Sequence, residues 1–357
     1  MRLKQAVVIV GLGLTLLYSY VTQRTPQNKP KPKSWEIAFE QPFEEARQFS
    51  EGLAVIAMGG KYGYIDKTGT VVIEPQFDQA EDFSEGMACI TINYKKGFIN
   101  QRGEIVVKPE YEYAWDFSEG LALVSTPDRV VSYIDKSGNA VLKARWETVT
   151  LFSEGLAGVS GGPINEGHFD YIDRTGRPVI RTKFTVGREF SEGLAKVLIE
   201  FEPKSNSGYG FIDRSGQVVI GPTYSEVGDY FKDGVVKVLV HGKWGYMDKT
   251  STVVIDPVFD EADEFSEGLA LVKIAGDYGF VRRDGQLVVK PRFMNASRFS
   301  EGLAAVNVRS KFGYIDRNGN FVIEPQFDAA DSFSEGLALV LLDKKPVYIR
   351  LVKPSAS

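Results

Sequence analysis

Apolar and polar residues alternate along this chain in short runs that suit strands. Phe299–Ser332 shows the pattern most clearly. Leu303–Val308 (LAAVNV) predicts a first strand and Phe312–Asp316 (FGYID) a second. Asp316–Gly319 predicts a bulged hairpin turn, because Asp suits the first position of a type I turn and Gly the positive-φ position after it. Asn320–Glu324 predicts a third strand ending at Pro325, which cannot donate to a ladder. Gln326–Asp331 then forms a connector with room for a short fourth strand. A unit of this size cannot bury its apolar face alone.

The same unit recurs along almost the whole chain. An FSEG tetrad begins at Phe49, Phe83, Phe117, Phe152, Phe190, Phe265, Phe299 and Phe333, with FKDG at Phe231. The interval from one tetrad Phe to the next is constant at both ends of the series and stretches only between Phe117 and Phe231. A period of about 34 residues, as here, means a stacked or radial repeat architecture. Two turns depart from the Asp-x-x-Gly form: Ser251 stands for Gly, and Arg282 for Asp before Gly285. Both are expected to be strained or differently capped.

The second strand opens Lys243-Trp244-Gly245-Tyr246 in one unit, with aromatic variants at Lys61–Tyr64 and Lys311–Tyr314. In this the units resemble the bacterial WG (KWG) repeat family, over roughly residues 37–350. The resemblance implies an all-β repeat fold and supplies no catalytic residues.

The two ends of the repeat region are complementary fragments. Ile37–Glu40 stands for a third strand and Pro42-Phe43 for a connector, whereas Phe333–Leu351 has the tetrad and two strands but lacks the third. Joined, they make a ninth unit. The fold expected is therefore all-β: about nine tandem three-stranded meander repeats forming a closed propeller-like ring, after an N-terminal apolar helix. The alternative is an open β-solenoid with half-caps.

Ahead of the repeats, residues 6–21 are uncharged and apolar, between Arg2 and Lys4 on one side and Arg24, Lys29, Lys31 and Lys33 on the other. Residues 1–21 are expected to be a signal anchor or signal peptide helix. Residues 22–34 form a Lys/Pro-rich linker, residues 35–351 the repeat domain and residues 352–357 a tail. The layout favours membrane anchoring with the repeats outside the cytoplasm; the alternative is secretion after cleavage. The repeat body is acidic, since residues 1–34 hold six of the 42 Lys and Arg and none of the 47 Asp and Glu. That argues against a nucleic-acid surface, which needs a basic footprint.

Little else in the sequence points to chemistry. Two histidines exclude a multi-histidine metal site, and no phosphate-cradling glycine loop is present. The single Cys89 reads as a small core residue. Eight copies of the tetrad serine argue against a catalytic serine, and the tetrad glutamates read as acceptors of backbone N–H at a turn. No catalytic residue, metal ligand or cofactor is expected. The irregular feature is the loop between first and second strands. The separation of the tetrad Phe from the second-strand aromatic is the same in six units, as from Phe299 to Tyr314. It lengthens step by step in the third to fifth, from Phe117 to Tyr133, Phe152 to Tyr171 and Phe190 to Phe211. Equivalent loops of stacked units share a face, so Asp128 and Arg129, then Asn165, Glu166 and His168, then Lys204 and Asn206, are expected to form one partner-binding patch. The function expected is a non-enzymatic, membrane-anchored scaffold binding a protein or a cell-envelope glycan. The alternatives are a polysaccharide-acting enzyme of the envelope, which needs two carboxylates roughly 5–10 Å apart that break the repeat, and a structural spacer.

Overall fold

The computed structural model describes residues 34–40, 43–144, 146–161, 168–200, 208–224 and 226–352. The chain divides into two units, Met1–Lys33 and Ser34–Ser357, and every described residue belongs to the second. The expected N-terminal helix lies outside the described residues. Among those described, no helix is long and apolar enough to cross a membrane.

Each repeat contributes one antiparallel sheet, and there are nine sheets. They are blades 1 to 9, at residues 45–77, 79–111, 113–144, 148–180, 194–220, 226–259, 261–293, 295–327 and 329–351, the last with residues 35–39 added. Within a blade the order is connector strand, first strand, second strand, third strand. In blade 2 these are Gln79–Ala80, Met87–Ile92, Lys95–Asn100 and Ile105–Tyr111. The connector that ends one sequence unit thus pairs with the first strand of the next. Blade and repeat are offset, so every junction between blades is tied covalently and by hydrogen bonds. Blade 5 has three strands, its connector reduced to a bridge between Gly187 and Val197.

The ring closes. Trp35–Phe39 takes the third-strand place in blade 9, pairing antiparallel with Lys345–Leu351 through Trp35 opposite Leu351, Glu36 opposite Arg350 and Ile37 opposite Ile349. The open solenoid is thereby excluded, and closure shelters two strand edges that would otherwise be free to template aggregation.

The core lies between blades rather than within them. The first strand has an apolar residue at nearly every position, because a blade is covered on both faces by its neighbours; all of Leu303–Asn307 is buried. Nine hydrophobic clusters result, each spanning a junction. The one between blades 9 and 1 joins Leu337 and Tyr348 to Phe49, Ile56 and Ile65. The tetrad Phe is the anchor of each. All nine are buried, and each meets the second-strand aromatic of the preceding blade edge-on or tilted, with centroids 4.6–5.2 Å apart. Such a pair adds about 0.5–1.5 kcal/mol beyond area burial. Cys89 is buried in this core, and burial pushes its thiol up to about 12.

One expected boundary is corrected. The third strand does not stop at its proline: Phe321–Phe327 runs through Pro325, and Val71–Phe77 through Pro75. The register shifts there, from Phe312 opposite Phe327 to Tyr314 opposite Ile323, so proline sits in a bulge where no ladder donor is needed. The two atypical turns follow expectation. Ser251 sits at φ 66°, and with Arg282 in place of Asp, the Gln286 N–H bonds to the Asp284 carboxylate instead, at 2.9 Å.

Candidate functional site

Most of the repeated polar residues are occupied in joining blades. The tetrad is a two-residue hairpin, with reciprocal backbone bonds between Ser84 and Met87 at 2.8 and 3.1 Å. Its acid lies at φ 51–54° in every blade and its glycine at 74–85°, the pairing a type I′ turn requires. A left-handed non-glycine residue costs about 1–2 kcal/mol. The compensation comes from the neighbouring blade. The Glu51 carboxylate accepts the Gly86 N–H, and the same bond recurs from Glu85, Glu119, Glu154, Glu192, Glu267, Glu301 and Glu335 to the next tetrad glycine, at 2.7–3.1 Å. A hydrogen bond to a charged group contributes about 1.5–3 kcal/mol, enough to offset the strain. The glutamates therefore accept backbone N–H groups, as expected, but those of the next blade rather than their own. The serines do likewise: eight hydroxyls donate to the next tetrad Phe carbonyl at 2.7–3.0 Å. None is poised as a nucleophile.

The opposite face of the ring carries the hairpins between first and second strands. Asp128 and Arg129 are exposed at the tip of the blade 3 hairpin, where the Thr126 hydroxyl bonds the Asp128 carboxylate at 2.6 Å and Arg129 adopts φ 60°. His168 is exposed just before the second strand of blade 4. These three lie on one face of adjacent blades. Asn165, Glu166, Lys204 and Asn206 lie outside the described residues. Beside the blade 3 hairpin stand aromatics that the loop spacing did not single out. Tyr113 pairs with Ser125 at the hairpin base, and Trp115 is two residues on, with its N–H on the Leu123 carbonyl. Their rings are 6.2 Å apart, and they are 53% and 45% exposed. Tyr94, at the tip of the neighbouring blade 2 hairpin, is 94% exposed. Other blades place Gln79 and Glu81, or Glu261 and Asp263, where blade 3 has Tyr113 and Trp115. That column comparison is the signal in the sequence that would have found them.

The connector strands form the inner edge of the ring. Asp82 of blade 2 acts on Tyr348 of blade 9, and Glu189 of blade 5 on Tyr133 of blade 3, so charges here reach past an intervening blade. Around blades 5 to 8 the inner acids are neutralised: Lys196 bonds Asp229 at 2.9 Å, and Arg298 clasps Asp263 and Glu264. From blade 9 to blade 3 acids are in excess, with Arg47 bonded to Glu81 at 2.7 Å beside Asp82, Asp116 and Asp331. Water reaches these three aspartates, yet neighbouring blades enclose them. Desolvation, reinforced at Asp116 and Asp82 by nearby carboxylates, raises all three above the usual range. Among the described residues no group of three or more His, Cys, Asp or Glu side chains is placed to hold a metal ion.

These shifts set a pH response. Turn aspartates Asp66, Asp173, Asp213 and Asp248 are held low, chiefly by a hydroxyl from Thr or Ser two residues on. Burial pushes Glu267 and Glu335 up, but their cation and glycine N–H partners outweigh it, and both end low. Stability from lowered carboxyls is present at neutral pH and lost as pH falls below about 4. Raised carboxyls act oppositely, because their ionisation is disfavoured in the ring and protonation just above that range relieves it. Tm measured from pH 7 downward should therefore rise slightly before it falls, and Asp116→Asn should flatten the rise. A decline beginning at pH 7 would contradict these environments.

The sequence matches the profile of the WG containing repeat nine times, at residues 43–62, 62–95, 97–126, 132–160, 171–200, 209–244, 244–276, 278–312 and 312–345. The chain belongs to the WG containing repeat family. Among curated proteins no significant match is found. Of solved structures, a crystal structure of the eukaryotic initiation factor is similar at TM-score 0.56 and 12% identity, over 90% of this chain and 92% of that one. The computationally designed Ika8 protein matches at 0.46 and 12%, over 87% and 98%. BamB from Moraxella catarrhalis matches at 0.42 and 12%, over 86% and 96%. At these identities the likeness is one of fold alone.

The WG signature itself has a physical reading. Its lysine bridges to the next blade's connector, as Lys61 to Asp78 at 2.5 Å, Lys311 to Asp328 at 2.6 Å, and Lys243 to Asp260. Those aspartates also accept backbone N–H groups of their own blade's hairpin, from Asn93, Lys344 and Ala275. The WG glycine faces the third-strand bulge, where a Cβ on Gly245 would lie 2.5 Å from the Ile255 carbonyl oxygen. Both roles are structural: they hold the WG repeat ring together.

Proposed function

We propose that this ring is a non-enzymatic binding scaffold, and that the hairpin face of blades 2 to 5 captures a protein or a cell-envelope glycan. The observation that carries this is the exposed Tyr113–Trp115 pair beside the Asp128–Arg129 hairpin, where the run of lengthened hairpin loops begins. Tyr, Trp and Arg are the residue types that most often dominate binding energy. Rigid blades beneath them keep the ordering cost of binding low. The uncharged run at residues 6–21 supports attachment to a membrane with the ring outside the cytoplasm.

The test compares the full chain with its Tyr113→Ala/Trp115→Ala form in pull-downs from envelope extract, with quantitation of every captured species. The scaffold reading expects the principal species to fall about tenfold or more, the loss of a binding hot spot. Equal capture would favour a spacer. A second reading, an enzyme acting on an envelope polysaccharide, is supported by Asp82 and Asp116, inner-edge carboxyls raised above the usual range beside Glu81, which accepts a hydrogen bond from Arg47. Sustained turnover of a cell-wall polymer, lost in Asp116→Asn, would replace the scaffold reading with that one.

A further inference from the structure

Two blades put lysine at the third place of the first strand, where Val55, Cys89, Leu123 and Ala305 stand elsewhere. They are Lys196 in blade 5 and Lys237 in blade 6. The Lys196 ammonium makes two firm bonds, to the Val227 carbonyl and to Asp229, both at 2.9 Å. Lys237 is less well served. Its Nζ donates to the Ala262 carbonyl at 3.3 Å, and Glu264 lies 3.7 Å away, beyond hydrogen-bond reach. An ammonium has three donors, so Lys237 keeps capacity for a ligand. Its Nζ also lies 5.3 Å from the centre of the Trp244 ring. A cavity of about 340 Å³ opens beside it, lined by Lys237 and Trp244 of blade 6, Glu261, Asp263 and Tyr278 of blade 7, and Asn295 of blade 8. That volume is at the lower end for small-molecule sites, which run from about 300 to 1,000 Å³.

The pocket combines ring surface with donors and acceptors. Leu271, Ala262 and Ala296 extend the apolar part of its lining. Tyr278 is held in place by its hydroxyl bond to Glu261 at 2.7 Å and by the Lys273 ammonium, 4.9 Å from the ring centre. One Glu261 oxygen accepts from Lys273 and the other from Tyr278, so each keeps a lone pair for a further donor. Asn295 is exposed, and among the described residues its side-chain amide makes no hydrogen bond. Charge in and around the pocket balances: Lys237, Lys273 and Arg298 stand against Glu261, Asp263 and Glu264.

We propose that this pocket binds a neutral sugar ring, with the C–H face of the sugar against Trp244, Tyr278 and Leu271 and its hydroxyls on Lys237, Glu261 and Asn295. A hydroxyl both donates and accepts, which matches ammonium and amide donors set beside a carboxylate acceptor. The balanced charge gives neither an anion nor a cation a net attraction. The Lys237 ammonium already occupies the cation-binding position at Trp244, which disfavours a cationic ligand further. Rings fixed before binding keep the ordering cost low. The pocket spans blades 6 to 8 and does not depend on Tyr113 and Trp115 of blade 3.

The experiment uses the full chain at pH 7. Glucose, galactose, mannose and N-acetylglucosamine are titrated by calorimetry and saturation-transfer NMR, with glucuronate and glucosamine as negatively and positively charged rings. The proposal expects at least one neutral sugar to saturate with a Kd of about 1 mM or tighter, and neither charged ring to bind better than it. Asn295→Ala and Lys237→Met should each weaken that sugar about tenfold or more with Tm close to wild type. Asn295 is exposed, so its variant reports on the pocket even if Trp244→Ala, which also disturbs core packing, fails to fold. The Tyr113→Ala/Trp115→Ala form should bind the sugar as the wild type does, whatever it does to partner capture. No saturable binding of any of the four sugars, tighter binding of a charged ring, or wild-type affinity in both Asn295→Ala and Lys237→Met would overturn the proposal. Loss of the sugar in Tyr113→Ala/Trp115→Ala would overturn it too, by placing the sugar on blade 3.

Discussion

Deletion of residues 34–40 is expected to destabilise the ring by more than the loss of any one core side chain. This segment supplies the third strand of blade 9 through its pairing with Lys345–Leu351. It also carries Trp35, 5% exposed and set edge-on to Phe327 with centroids 5.1 Å apart, and Phe39, packed on Tyr348 at 4.9 Å. Truncating a single buried Phe or Trp costs about 3–5 kcal/mol. The deletion removes one such residue, a second partly buried ring and a row of ladder bonds, and it uncovers the edge of Lys345–Leu351. Urea unfolding should show a midpoint far below that of the intact chain, and a broadened or split transition as blade 9 uncouples from blade 1. An unchanged midpoint would mean that the ring does not depend on this strand.

Phe265→Ala is expected to cost about 3–5 kcal/mol. Phe265 is 1% exposed, meets Tyr246 at 5.0 Å, and belongs to a cluster with Ile255, Phe259, Ala270 and Val281. Its junction is the one without the serine and glutamate bonds, so fewer polar ties remain when the ring is removed. Phe299→Ala, in a junction that keeps both bonds, provides the control. A double-mutant cycle with Tyr246→Phe separates the ring contact from the Tyr246 hydroxyl bond to the Asp263 carbonyl, 2.6 Å. A loss under about 1 kcal/mol for Phe265→Ala would place this ring outside the core.

Much of the architecture was legible because repetition exposes it. The tetrad spacing gave the number of units, and the complementary fragments Ile37–Glu40 and Phe333–Leu351 pointed to closure, since a missing third strand at one end matched a spare one at the other. Pro325 misled because a proline is read as a strand end, whereas a bulge tolerates it inside a strand. The tetrad glutamate was read as serving its own turn. Its true partner, a glycine 35 residues away in Glu51 to Gly86, follows only from the stacking of one I′ turn on the next. The candidate surface was half legible. Insertions at Asp128 and Arg129 marked the face, but Tyr113 and Trp115 were hidden among the many aromatics of a chain whose core is built from them.

The most direct test of the closed ring is hydrogen exchange at the backbone amides of Trp35–Phe39. Closure predicts that these amides exchange on the timescale of the third strands of the other blades, such as Phe321–Phe327, and that protection of Lys345–Leu351 falls when residues 34–40 are removed. Exchange of Trp35–Phe39 at the rate of an unstructured peptide, with Lys345–Leu351 unaffected by the deletion, would contradict it.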